Sequence, residues 1–340
     1  MHDSLDQPAS RRATPWDFVE TPSPVQAFIR DHYRRVYDDR HQKLSETAES
    51  NLINSYKPTK CPYCNSFTFV KNGMNQNGVT RYKCKSCNRK FTSTTGTIFQ
   101  DHKISIQEWI EFSLNIFRYL SINADSLNNK NEFTTSRYWL EKLFLVLSSY
   151  QDNIKLSGRI WLDETFYTVR SEDIIKTDKG KELRGTSKNQ LCIGVACTEK
   201  EILCFCEGNG RPTQNRTLEI FHNHIEPKST LVHDKDVAHK KLIKYLELID
   251  EAYDSKIIKE LPDRENPLYR VNKVHNLLKK FLYAHNSFKR DGLQDYLNFF
   301  AFIMNPPSNH LEKVEIILNL TFQVSKTLKY RDFYLKKSDS

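Results

Sequence analysis

The chain has 340 residues, 38% hydrophobic and 12% aromatic, which is too long for one small domain and too apolar for wholesale disorder. Its 51 Lys and Arg against 42 Asp and Glu give a formal net charge of +9, a moderate basic excess that suits a polyanionic partner. No run of about 18 apolar residues and no apolar leader core occurs, so neither a membrane span nor a secretory signal is read and the chain is expected to be intracellular.

Residues 1 to about 22 are polar and proline-containing, a loose tail, and 24 to 50 have helical spacing with many charges. "YKPTKCPYC" then opens a cysteine-rich module that runs to about Phe99. Residues 57–100 hold eight Lys or Arg and no Asp or Glu, so nearly the whole charge surplus lies in this block. "SIQEWIEFSLNIFRYL" predicts a helix capped by Ser105, and a second strong helix is expected from Thr134 or Thr135.

After about residue 155 the pattern changes to strands. "IWLDETFYTV", "LCIGVACTE" and "EILCFCEG" are short apolar runs rich in β-formers. "NRTLEIFHNHI" reads as a helix, "STLVHD" as a strand, "AHKKLIKYLELIDEA" as a helix and "SKIIKEL" as a short strand. "YRVNKVHNLLKKFLYAH" and "LQDYLNFFAFIMNPP" follow as helices, the last stopped by Pro306 and Pro307. Three strands, helix, strand, helix, strand, helix is the order of a ribonuclease-H-like fold, a mixed sheet flanked by helices.

Cys61-x2-Cys64 and Cys84-x2-Cys87 are separated by 19 residues. Each knuckle presents two thiolates from a tight turn, and the segment between them reads as a hairpin turning at "NQNG", so the spacing predicts a zinc ribbon with a structural Zn²⁺. Lys71, Arg81, Lys83, Lys85, Arg89 and Lys90, with Phe69, Tyr82 and Phe91, suggest a surface for a phosphate backbone, against the alternative of an inert solvated face. Without an export signal the cysteines are thiols or metal ligands rather than disulfides. Cys192, Cys197, Cys204 and Cys206 lie in strand patterns and read as core.

"RIWLDETFYTV" sets two adjacent carboxylates, Asp163 and Glu164, inside a stretch whose Ile160, Leu162, Phe166 and Val169 read as a half-buried strand. Either they face water or something positive meets them. Asp234 ends the fourth strand of the domain, which neighbours the first in this fold, so Asp163 and Asp234 can share Mg²⁺ or Mn²⁺. Asn272 lies 38 residues after Asp234 and offers a third oxygen, with His275 and Lys279 along the same helix face; Lys279 could reach a substrate phosphate.

Several of these strings match one family. "CPYCNS…VKNG…G…RYKCKSCNRKFTSTTGTIF" with "KISIQEW" resembles the zinc-ribbon N-terminus of insertion-sequence transposases whose catalytic set is Asp-Asp-Glu or Asp-Asp-Asn. "LDETF", "LVHD", "VNKVHNLLKKF" and "LQDYLNFFAF" resemble that family's catalytic domain, and Merlin-type transposons are similar. The resemblance runs from about 58 to 305.

It implies metal ligands at Asp163, Asp234 and Asn272, with the following Lys at Lys279; Asp236 is a rival for the second position, and Glu164 is given no metal role. It also implies a helix-turn-helix over "SINADSLNNKNEFTTSRYWLEKLF", with Thr134 to Lys142 starting the recognition helix. The expected organisation is a tail and helical extension (1–56), a zinc ribbon (57–100), a helix-turn-helix-like region (101–154), a ribonuclease-H-like catalytic domain (155–307) and a C-terminal extension (308–340).

The activity so implied is that of a DNA transposase. It binds the terminal inverted repeats, hydrolyses a phosphodiester to free a 3′-hydroxyl and joins that hydroxyl to target DNA. Handling two ends requires a homodimer or larger synaptic complex, and the place of action is the cytoplasm and nucleoid of a bacterium or the nucleus of a eukaryote. The alternative is a domesticated, inactive derivative that binds DNA. A ribonuclease-H-like nuclease for RNA or branched DNA ranks below both.

Overall fold

A computed structural model describes residues 21, 23–29, 31–32, 46–101, 105–118, 121–128, 132–168, 174–183, 185–285, 290–323 and 325–333. Most of the N-terminal tail, the middle of the first charged helical stretch, and Val169 with residues 170–173 lie outside these residues. The chain divides into two compact units, residues 1–146 with 310–340, and Leu147–Asn309.

In the first unit, α1 (Glu46–Ser55) precedes a three-stranded antiparallel sheet of β1 (Phe69–Met74), β2 (Thr80–Cys84) and β3 (Lys90–Phe91). The β1–β2 hairpin closes at the expected "NQNG", with the Gly78 N–H donating to the Asn75 carbonyl at 3.0 Å and Gly78 in the left-handed region at φ +79°. Asn54 of α1 ties down the hairpin by donating to the Gly78 carbonyl and accepting from the Thr80 N–H.

The helices α2 (Ile106–Phe117), α3 (Ile122–Asn128), α4 (Phe133–Leu147) and, from the C-terminal segment, α10 (His310–Gln323) belong to this unit as well. Ser105 caps α2 as the sequence predicts, accepting from the Glu108 N–H. Trp109, Phe112 and Trp139 pack as a buried aromatic cluster. Residues 310–323 join this unit because Tyr56 stacks on Phe322 with centroids 4.0 Å apart and its hydroxyl meets the Asn319 amide oxygen at 2.8 Å.

The second unit is a five-stranded mixed sheet in the order β6-β5-β4-β7-β8. β4 (Arg159–Thr168), β5 (Gln190–Cys197) and β6 (Ile202–Asn209) are antiparallel neighbours; β7 (Thr230–His233) runs parallel to β4, and β8 (Ile249–Ala252) parallel to β7. That order is compatible with a ribonuclease-H-like fold. One sheet face buries Ile160, Leu162, Leu231 and Leu203 against α5 (Gln214–Phe221) and α6 (Lys240–Leu246). Helices α8 (Tyr269–Ala284) and α9 (Leu293–Met304) pack on strands of this sheet. At the β6 edge, side-chain amides of Gln151, Gln294 and Asn305 bond to backbone groups that would otherwise be open for pairing.

The expected helix over "AHKKLIKYLELIDEA" and strand over "SKIIKEL" are both corrected. The helix ends at Leu246 because Glu247 takes the left-handed conformation at φ +52°, and the chain re-enters the sheet as β8. "SKII" is a short helix, α7 (Ser255–Ile258), capped by Asp254. β8 escaped notice because it is short, carries two acidic residues and lies at the sheet edge, where no apolar alternation is required.

Candidate metal centres and their surroundings

The four cysteines of the two knuckles have their sulfur atoms all within 4.8 Å of one another, and all four are free thiols. Cys61 Sγ and Cys87 Sγ are 3.7 Å apart, and Cys64 Sγ and Cys84 Sγ 3.6 Å. Zinc–sulfur bonds of about 2.3 Å in a tetrahedron put sulfurs roughly 3.8 Å apart, so the donor set fits Zn²⁺ in number, type and spacing.

Strand parity sorts the residues around this cluster. Phe69, Tyr82, Cys84 and Phe91 lie on one face of the small sheet and pack on the cysteines. Tyr82 and Phe91 are buried, which corrects their expected part in a phosphate-contact surface. Lys83 and Lys90, a register pair, point from the opposite face with Arg81; Lys83 and Lys90 are exposed, Arg81 half-buried with its Nε unpaired. Lys71, Lys85 and Arg89 are exposed as well, Arg89 lying over the Tyr63 ring at 5.0 Å. In α4, every residue is buried or half-buried, and Lys142 turns inward to donate to the Ile98 carbonyl at 2.7 Å. Burial lowers its pKa to about 8, so this end of the expected recognition helix is a core contact.

Asp163 sits mid-way along β4, and Asp234 just beyond β7. Trp161 pairs with Val232, so a step of two residues along each chain brings Asp163 and Asp234 to the same level, Asp234 lying just past the end of β7, where its Oδ1 accepts from the Asp236 N–H at 3.0 Å. Lys235 then takes the left-handed region at φ +63° and turns the chain away. Asp236, the rival for the second position, is exposed and caps the turn Val237–His239 through the Ala238 N–H. Asp163 Oδ1 accepts from the Glu164 N–H at 2.9 Å. Burial first, then the charge of Asp234, then that of Glu164, push its pKa up to about 7. A carboxyl so desolvated beside like charges is a place where a divalent cation fits.

Asn272 and His275 lie one turn apart on α8, and Lys279 one turn further. His275 is buried and places Nδ1 3.9 Å from Asp163 Oδ2. Burial first, then the charge of Lys279, hold its pKa down at about 4, so the ring is a neutral imidazole. Asn272 is half-buried and Lys279 exposed.

Glu164, one residue on, faces the other side of the sheet. There it meets His239, whose Nε2 is 2.9 Å from Glu164 Oε1. His239 Nδ1 is 2.9 Å from His233 Nδ1, and His233 Nε2 is 3.0 Å from Asp250 Oδ1. Three hydrogen bonds in series need three protons, and with both carboxylates ionised the two rings must carry three protons on four nitrogens. The pair therefore holds one imidazolium. Burial opposes charge on His239, but its bond to Glu164 and the charges of Glu164 and Asp234 raise its pKa, whereas burial and His239 lower that of His233. The extra proton belongs to His239, which makes Glu164–His239 a buried ion pair.

His233, Asp234 and His239 also have ligand atoms within 4.8 Å of one another, but the ring nitrogens are already paired in the relay. The sequence reading passed over both histidines. The string "HDKDVAH" holds four titratable side chains besides its lysine in seven residues, and that density was the available signal. Cys192, Cys197 and Cys204 are buried and Cys206 half-buried, as a core role requires.

No family model matches the chain. A stretch of 84 residues is 28% identical to an uncharacterized protein in the transposable element ISH50 of Halobacterium salinarum, covering 24% of this chain and 27% of that protein. The chain thus spans about a quarter of the length of that relative. Among solved structures, a pre-cleavage Mos1 transpososome covers 65% of this chain and 79% of its own at 8% identity and a TM-score of 0.23, too loose a superposition to carry an argument. Among the described residues, no helix is long and apolar enough to cross a membrane.

Proposed function

We propose that the chain is a DNA transposase of the zinc-ribbon, Merlin-like kind, which binds the terminal inverted repeats of a mobile element and cuts and joins DNA. The observation that carries this reading is the juxtaposition of Asp163, desolvated and facing His275 of α8, with Asp234 at the same level just beyond the neighbouring parallel strand. Its support is twofold: the basic module around a cysteine set that fits Zn²⁺, and the partial likeness to a protein in a transposable element.

In this reading Asp163, Asp234 and a donor from α8, Asn272, hold one or two divalent cations, Mg²⁺ or Mn²⁺. A cation there stabilises the charge that develops on the attacking and leaving oxygens of a phosphodiester. The residues of the chain do the rest. β4 and β7 fix the two carboxylates in register, Lys279 stands exposed on the α8 face to meet a backbone phosphate, and the buried ion pair of Glu164 and His239 stiffens the strand behind Asp163. Lys83, Lys90 and Arg81 on the open face of the small sheet contact duplex phosphates, with the exposed Lys85 and Arg89 from the second knuckle and its flank and Lys71 from the other side of β1. A dimer or larger synaptic complex joins two ends.

The test is cleavage of a labelled terminal-repeat duplex with Mg²⁺ or Mn²⁺ by wild type, Asp163→Ala and Asp234→Ala. The expected result is metal-dependent nicking that falls roughly a thousandfold in both variants, a loss of about 4 kcal/mol of transition-state stabilisation. Equal DNA binding by all three with no cleavage by any would replace the enzyme with a DNA-binding derivative.

A further inference from the structure

We propose that His275 is a ligand of the cation held by Asp163, and that the site therefore prefers Mn²⁺ or a similar first-row transition ion to Mg²⁺. This rests on the reading of Asp163 and Asp234 as a metal site and adds to it a nitrogen donor from α8 beside Asn272.

The gap between His275 Nδ1 and Asp163 Oδ2, 3.9 Å, is too long for a hydrogen bond. It leaves room for one ion between the two atoms. Bonds of about 2.1–2.2 Å place donors roughly 3.0 Å apart when adjacent and 4.3 Å apart when opposite around an octahedral centre, and 3.9 Å lies between these, so a small turn of the ring brings the pair to a ligand separation. Asp163 Oδ1 is already engaged by the Glu164 N–H, so Oδ2 is the oxygen left open, and it is the one His275 faces.

The imidazole itself is incompletely satisfied. It is buried, and Nε2 has no partner among the described residues. A neutral ring has one N–H and one lone pair. With the proton on Nδ1, the ring can donate toward the Asp163 backbone carbonyl but leaves the Nε2 lone pair buried empty; with the proton on Nε2, the Nδ1 lone pair points at a carboxylate oxygen. A cation between Nδ1 and Oδ2 converts that second, repulsive arrangement into coordination. Asn272, one turn earlier on α8, stands on the same face to add a carbonyl oxygen.

The choice of ion follows from ligand chemistry. Carboxylate and carbonyl oxygens suit Mg²⁺, whereas an imidazole nitrogen gains more from a transition ion. One nitrogen among oxygens therefore tilts the site toward Mn²⁺, and exchanging that nitrogen for an oxygen tilts it back.

The experiment uses the full zinc-loaded chain, so that the cysteines are filled, with Mn²⁺ as the probe. Binding is titrated and the bound ion is examined by pulsed electron paramagnetic resonance for coupling to a directly bound ¹⁴N. The expected result is ¹⁴N coupling in wild type and in His239→Gln, and its disappearance in His275→Gln and His275→Asn with Mn²⁺ still bound. The ratio of Mn²⁺ to Mg²⁺ affinity is expected to fall roughly tenfold in the two His275 variants. Bound Mn²⁺ without ¹⁴N coupling in wild type, or coupling that survives in the His275 variants, overturns the assignment and leaves the carboxylate site standing. Absence of Mn²⁺ binding in wild type, or binding undiminished in Asp163→Ala, overturns the metal site and this inference with it.

Discussion

The cysteine cluster of the first unit and the carboxylates of the second bring like-charged ligands together by opposite routes. In the cluster, two knuckles of four residues each set the ligands, and one short hairpin brings the knuckles within reach; almost no apolar core surrounds them beyond Phe69, Tyr82 and Phe91. In the second unit the candidate ligands come from β4, the residue after β7, and α8, and a large sheet core of Ile160, Leu162, Leu231 and their neighbours holds these elements in place whether or not an ion is present. The first candidate centre would make its own fold around a cation. The second would be made by a fold that exists already. A metal should therefore matter to stability in the first and to chemistry in the second.

The sharpest way to break that comparison is to remove zinc. Stripping the metal with a chelator, or substituting Cys84→Ser, is expected to unfold residues 61–91, since a structural Zn²⁺ contributes about 10–16 kcal/mol in small modules with little core. Hydrogen exchange should show those amides unprotected while β4 and β5 keep their protection. Protection retained in the small sheet without zinc would show that its aromatic cluster suffices.

A smaller effect separates the two carboxylates on β4. Glu164 has an internal cation, His239, and Asp163 has none. His239→Ala should cost about 3–5 kcal/mol in denaturant unfolding, because it leaves Glu164 buried and unpaired, and Glu164→Gln added to it should recover part of the loss. The sign with pH is fixed by the upward shift of His239: its stabilising contribution is complete below the ordinary histidine range near pH 6.5 and is lost as pH rises through the folded-state value. A pH–stability curve that does not change between wild type and His239→Ala would refute the imidazolium.

The smallest expected effect concerns the basic face of the first unit. Lys83→Gln with Lys90→Gln should weaken duplex binding equally across sequences and reduce the slope of log affinity against log salt by about 2, one for each phosphate left without its lysine. An unchanged slope would make this face a solvated surface, and DNA contact would have to be sought elsewhere.

Some of this was plain in the chain. The cysteine spacing, the "NQNG" turn, the Ser105 cap and the order of strands up to β7 are local signals, each decided within a few residues. β8 was not legible, because an edge strand of four residues with two acidic side chains carries no periodicity, and the end of α6 was set by the backbone conformation of Glu247, not by a glycine. The aromatic residues of the small sheet were visible, but their facing was not. A tyrosine on a strand is core or surface according to parity, and here the parity of Tyr82 turned it toward the cysteines.

The same parity explains the two carboxylates in "LDETF". By itself the sequence determined that Asp163 and Glu164 lie in a strand and that they lie on opposite faces, because successive side chains in a strand alternate. Only the tertiary structure decided what each face meets. The parallel register of β4 with β7 set Asp234 beside Asp163, α8 brought His275 over the pair, and the turn after β7 carried His239 to Glu164. Those partners are 71, 112 and 75 residues away along the chain, and no local propensity reaches across such distances. The packing of the sheet and its helices does, because burying the apolar faces of β4, β7 and α8 fixes where their polar residues come to lie.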